Sequence, residues 1–147
     1  MNLILFGIKG CGKTTLGKKV AKELNHLFID TDHLIEAMYY KNTQKKLTCS
    51  KIYRRMGAYV FRSLEVRAVK SLKGVQDAVI AVGGGTMMKE ENLEYLQNIG
   101  SLIYLMQNKE ILRKRFFSQN FKNFDEIYEK RICRFKVIEA KQLNLSK

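Results

Sequence analysis

Leu3-Ile4-Leu5-Phe6-Gly7-Ile8-Lys9-Gly10-Cys11-Gly12-Lys13-Thr14 is the stretch whose reading decides the fold. Its apolar start reads as a short strand, residues 7 to 14 fit the G-x-x-x-x-G-K-[ST] phosphate loop, and a helix-like pattern follows. Gly7, Gly10 and Gly12 allow backbone N–H groups to come close to phosphate oxygens, which a Cβ would obstruct. A helix opening near Lys13 adds the positive end of its dipole to the same spot. Lys13 then reaches the β- and γ-phosphates as a point charge, and the Thr14 hydroxyl is placed to ligate Mg²⁺. Gly10, Cys11, Gly12, Lys13, Thr14 and Thr15 form the expected ATP-contacting run, with Cys11 as its small spacer. A glycine-rich turn with an incidental lysine would leave the flanking strand and helix unexplained.

The chain has 147 residues, 46% of them hydrophobic, which suits one domain with a real core. No apolar stretch approaches the length of a membrane span, and the opening apolar run is too short for a signal peptide, so a cytoplasmic protein is expected. Three cysteines without C-x-x-C or Cys/His spacing suggest neither a disulfide framework nor a zinc site. Lys and Arg number 27 against 14 Asp and Glu, a formal net charge of +13. These cations are scattered along the chain rather than gathered into one arm. Attraction of small polyanions is therefore the preferred account over nucleic acid, and neither nucleic acid nor membrane is expected as a partner.

Outward from the loop, strand-like runs at 2–6, 27–30, 77–82, 101–106 and 141–146 alternate with helical patterns. Such alternation predicts an α/β fold with a five-stranded parallel sheet and helices on both faces. Ligands in such sheets lie at the carboxyl ends of strands. The phosphate loop, Asp30-Thr31-Asp32 and Gly83-Gly84-Gly85 all fall at those ends. The roughly 45 residues between the second and third strands exceed one crossover, so a helical subdomain at about 33–65 is expected to project as a cleft wall. Residues 115–124, basic, amide-rich and aromatic, read as a mobile lid.

Taken together, the phosphate loop, Asp30-x-Asp32, Gly57…Phe61-Arg62-x-x-Glu65 and the glycine triplet have the order and spacing of the shikimate kinase family, which the sequence resembles over nearly its whole length. The resemblance implies an adenylate-kinase-like three-layer P-loop kinase fold. It implies phosphorylation of the 3-hydroxyl of shikimate by ATP, in the chorismate route to aromatic amino acids, by a monomer. On this reading Asp32 is the base and holds the acceptor hydroxyl, and Asp30 joins Thr14 in holding Mg²⁺. Arg62 binds the acceptor carboxylate and is held by Glu65; Arg131 gives a second cationic contact; Gly83, Gly84 and Gly85 offer backbone to the ring hydroxyls. Lys13 acts on the transferred phosphoryl group, and Arg113 or Lys114 lies along the adenine. Blander readings exist: Asp30 and Asp32 as helix caps, Arg62 and Glu65 as a surface i, i+3 pair, and Lys130, Arg131 and Arg134 as a solvated helix face.

The chain also departs from the family. Its usual Arg-Pro-Leu-Leu lid signature is absent, there is no proline anywhere, and Ala58 stands where a glutamate usually follows the Gly57 position. Arg115 and Lys122 are the candidates to replace the lid arginine. The fifth strand is expected to close the chain without the family's last helix. Rival readings are a related kinase for gluconate or a nucleotide, a non-catalytic nucleotide or shikimate binder, and a basic nucleic-acid module.

Overall fold

The computed structural model describes residues 1–118 and 123–145. Strands β1 (Asn2–Phe6), β2 (Leu27–Asp30), β3 (Ala78–Ala81) and β4 (Gly100–Tyr104) form one parallel sheet in the order β2-β3-β1-β4. Ile4 pairs with Ile80 on one side and Leu102 on the other, and Asp30 pairs with Ala81. β3 begins one residue later than its apolar run suggests, because Asp77 has φ 51°, outside the extended region.

Among the described residues, six helices surround the sheet: α1 (Lys13–Leu24), α2 (Thr31–Thr43), α3 (Cys49–Lys70), α4 (Glu90–Ile99), α5 (Lys109–Ser118) and α6 (Phe124–Leu145). A 3-10 turn covers Thr86–Met88. Alternation of side chains along the strands decides which helices cover which face. Leu5 and Val79 point toward α1 and pack with Ala21. Ile4, Phe6 and Ile80 point the other way, into the larger core with Val69, Leu96, Leu112, Phe116, Phe135 and Ile138. α1 crosses its face closely: a Cβ on Gly17 would stand 2.6 Å from the Phe28 ring.

α2 and α3 make a smaller core of their own from Ile35, Tyr39, Ile52, Phe61, Leu64 and Ala68. α3 is two helical segments that meet at Gly57, whose φ of 84° and ψ of 170° lie outside the helical range. The expected helical segment at 33–65 falls on this pair. The expected lid at 115–124 is divided: 115–118 end α5, Phe124 opens α6, and 119–122 with Lys122 lie outside the described residues.

The fifth strand is a correction. Residues 141–145 continue α6, so the sheet has four strands among the described residues, and the last described element is a helix. The reason is anchorage: Phe124, Ile127, Tyr128, Phe135 and Ile138 lie along one side of α6 and pack into the core. Once that long face is docked, each further residue adds a hydrogen bond at little cost, and the helix propagates through 141–145, part of the run that looked like a strand. Phe135 fills the centre, edge-on to Phe6 at 5.4 Å and tilted against Tyr104 at 5.6 Å. Phe135→Ala should therefore lower the unfolding free energy by about 3–5 kcal/mol, read as a fall in the urea midpoint with an unchanged slope.

Candidate functional site

The strand order sets the site. β1 lies between β3 and β4, and β3 lies between β1 and β2. The loops leaving β1, β2 and β3 therefore emerge side by side. They border a cleft of about 690 Å³ lined by Gly10, Cys11, Gly12, Lys13, Thr14, Thr15, Asp30, Asp32, Gly83 and Gly84. Lys9, Gln107 and Arg115 line it as well.

On the phosphate side, Gly12 precedes α1 with φ 99°, a conformation that favours glycine. Lys13 is buried, and its ammonium donates to the carbonyls of Gly7 at 2.7 Å and Ile8 at 3.1 Å. Burial holds its pKa below the ordinary lysine value. Arg115, on α5, donates to the Gly10 carbonyl. It thus rests on the phosphate loop from outside.

Asp30 does two things with its two oxygens. Oδ1 accepts from the Asp32 amide at 2.9 Å and caps α2, while Oδ2 accepts from the Thr14 hydroxyl at 3.3 Å. Helix capping thus accounts for one aspartate only. Asp32, inside the first turn of α2, turns its carboxylate toward β3: Oδ1 lies 2.9 Å from where a Cβ on Gly83 would stand. Its pKa is pushed up to about 6, by burial first and then by the neighbouring Asp30 charge, against the pull of Lys9.

The same test explains the glycine triplet. A Cβ on Gly84 would meet the Arg131 guanidinium at 2.9 Å, and one on Gly85 would meet Arg62 at 2.7 Å and Arg131 at 3.0 Å. The bare backbone makes room for three charged side chains.

Arg62 donates from Nη1 to Glu65 at 2.8 Å, and the Thr86 hydroxyl donates to the other Glu65 oxygen at 2.9 Å. Glu65 is 1% exposed, so this is a buried, doubly satisfied carboxylate and not a surface ion pair. Arg131 comes from α6. Burial and the like charge of Arg62 pull its pKa down to about 10. The neighbouring Arg134 does something else: it donates to the Met87 carbonyl and to Glu90, both at 2.9 Å, and ties α6 to the 3-10 turn. The basic run on α6 is thus not a uniform solvated face.

The structure brings together the sequence-selected residues of the phosphate loop, the Asp30–Asp32 turn and the glycine triplet with Arg62, Glu65 and Arg131, but not Arg113. That guanidinium is closed on Asp125 by two hydrogen bonds at 2.8 and 3.1 Å and lies over the Phe124 ring at 5.4 Å. It does not line the cleft. Sequence reasoning missed Lys9, a variable position of the loop motif, and Thr86, which follows the glycines and completes the shell of Glu65. Only the proximity of Thr86 to the triplet could have signalled it.

The oxygen pair of Thr14 and Asp30 suits a hard divalent cation beside the phosphate loop. The two guanidiniums at Gly85 suit a carboxylate, and Asp32, at Gly83, lines the cleft together with the phosphate loop.

A comparison with known families matches residues 9–132 to the shikimate kinase model. Shikimate kinase 2 of Photorhabdus laumondii is 39% identical over 81% of this chain and 66% of its own length. For the shikimate kinase of Alkaliphilus oremlandii the identity is 42%, over 71% of this chain and 58% of the relative. The chain thus spans less than two thirds of the length of these curated relatives. Among solved structures, the shikimate kinase from Acinetobacter baumannii in complex with shikimate superimposes with a TM-score of 0.77 at 27% identity, covering 97% of this chain and 78% of that one.

The buried Asp32 carboxylate has a thermodynamic consequence. With a folded pKa near 6 against an ordinary value of 3.8, the folded state binds more protons than the unfolded chain between those pH values. Wild-type stability therefore falls as pH rises from about 4 to about 6, by at most about 3 kcal/mol. Asp32→Asn should lack that step: equilibrium unfolding should find it more stable than wild type above pH 7, the gain vanishing below about pH 4.

Proposed function

The chain belongs to the shikimate kinase family, and from that premise we propose that it transfers the γ-phosphoryl group of ATP to the 3-hydroxyl of shikimate, giving shikimate 3-phosphate and ADP. One observation carries this reading. Asp32 packs against Gly83 and Arg62 against Gly85, so a base and a carboxylate anchor face the same strand end two residues apart.

Phosphoryl transfer needs alignment and charge neutralisation more than covalent chemistry. The acceptor carboxylate is held by Arg62 and Arg131; Glu65, fixed from both sides, keeps the Arg62 fork in place. Asp32, ionised, accepts the hydrogen bond of the acceptor hydroxyl and takes its proton. The acceptor oxygen forms its bond to the γ-phosphorus as the bridge to the β-phosphate breaks, and the electron pair leaves with ADP. Lys13 exchanges its two loop carbonyls for phosphate oxygens. Thr14 and Asp30 would hold Mg²⁺, which supplies charge neutralisation at the phosphates when bound. One chain supplies all of these groups, which supports action as a monomer, and the reading sets the reaction in cytoplasmic aromatic amino-acid biosynthesis. The helical pair α2–α3 is the acceptor-binding subdomain.

ADP release measured with and without shikimate tests the reading directly. Stimulation by shikimate supports it; binding of both ligands without turnover would leave a non-catalytic relative, and stimulation by gluconate, a nucleotide or a nucleic acid instead would overturn it. Arg62→Ala should cut kcat/KM for shikimate by about a hundredfold or more, the loss expected on breaking a bidentate charge-assisted contact, while ATP affinity stays within twofold. Because Asp32 must be ionised to act, kcat/KM should rise with pH through about 6 and level off above it.

A further inference from the structure

Lys9 has no part in the scheme above. It is the third residue of the phosphate loop, yet it lines the cleft beside Asp32, Gly83 and Gly84. Its amide nitrogen and Cβ lie 3.2 and 3.5 Å from where a Cβ on Gly84 would stand, against the same bare backbone that Arg131 meets at 2.9 Å. Position alone therefore puts it where the phosphate loop and the acceptor pocket adjoin.

We propose that Lys9 is a third cation of the acceptor pocket, contacting the acceptor alcohol and the phosphoryl group that the alcohol receives. The proposal rests on the reading of the cleft as a shikimate site and adds a specificity-determining residue to it. Three lines converge. First, the ammonium is half-buried at a desolvation cost, with Asp32 the strongest charge favouring it and Arg131 acting against it. Lysine keeps a charge in such a place only where anions answer it. Second, its neighbours Arg62 and Lys13 are held in place by this chain's own groups, Arg62 by Glu65 and Lys13 by the Gly7 and Ile8 carbonyls, so Lys9 enters a cleft whose cations are already positioned. Third, charge increases on the acceptor during the reaction. Asp32 becomes neutral on taking the proton while the acceptor gains a phosphate dianion, so the cation beside Asp32 is left facing the product's new charge.

Lys9 should therefore matter to the acceptor and still more to its phosphorylated form, and little to ATP. The test uses the full chain with Lys9→Met, Lys9→Gln and the charge-retaining Lys9→Arg, each checked for a native melting transition. KM values for shikimate and ATP come from the coupled assay, and the affinity for shikimate 3-phosphate from calorimetry without nucleotide. Lys9→Met and Lys9→Gln should raise the shikimate KM by about tenfold and weaken the product by more than that, with the ATP KM within twofold and Lys9→Arg close to wild type. An unchanged shikimate KM and product affinity would overturn the proposal, as would an ATP KM rising in step, which would mark a loop-shaping role. If the wild-type chain binds neither shikimate nor its phosphate, the reading of the site falls and Lys9 with it. If wild type binds both and Lys9→Met binds them equally well, only Lys9 falls.

Discussion

Between β3 and the 3-10 turn the chain presents three residues without a Cβ, and three charged side chains from three different helices close on them: Asp32 from α2, Arg62 from α3 and Arg131 from α6. None of these helices touches the site by its axis. Each reaches it with one long or polar side chain, and those side chains can converge only because the backbone between them is narrow. A methyl group at any of the three positions would stand within 3.0 Å of a charged group. Such a group must then move, and its partners with it. The cleft is in this sense a negative imprint of the strand end. Its dimensions follow from the sheet order, which sets β3 between β1 and β2 and so between the phosphate loop and the Asp30–Asp32 turn.

The charges then sort themselves by who is satisfied. Glu65 is buried, and a buried carboxylate is tolerated only with its oxygens answered; Arg62 answers one and Thr86 the other. That arrangement fixes the Arg62 fork without cancelling the second guanidinium beside it. Arg131, held near Arg62 by the docking of α6, feels burial first and then the like charge of Arg62, and both pull its pKa down. Asp32 is under the opposite strain, a carboxylate raised by burial and by Asp30. Pushing a base upward and a cation downward within one cleft is what acid–base work near neutral pH requires.

The parts of this site legible in the sequence were those whose chemistry is local. The phosphate loop is contiguous, so spacing alone carried it; Asp30 and Asp32 share one turn and Arg62 and Glu65 one helical face, but their roles were read through the surrounding pattern and the family it resembles. Convergence of distant residues was legible only through their order along the chain and the family it resembles. The failures have physical causes too. Residues 141–146 alternate in a strand-like way, but six residues cannot overrule the docked face of a helix that begins at Phe124. Arg113 was placed by its chain position, and nothing local revealed that Asp125, twelve residues on, would take its fork. The glycine triplet was read as exposing N–H groups; that it also makes room for side chains arriving from elsewhere was not legible in the sequence. Lys9 sat at a position that the loop motif leaves free, and a motif is silent about where such side chains go.

Arg113 still has a place in the argument, as a clamp. α5 carries Arg115 over the phosphate loop, and α6 carries Arg131 to the glycine triplet. Between these helices Arg113 holds Asp125 and stacks on Phe124, Lys109 bonds Glu129 at 3.2 Å, and Phe116 meets Phe124 edge-on at 5.2 Å. Exposed ion pairs contribute little singly, but these are arranged around an aromatic contact that excludes water, and together they set the distance between the two helices. Arg115 at the phosphate loop and Arg131 at the glycine triplet thus sit on two helices that these contacts join.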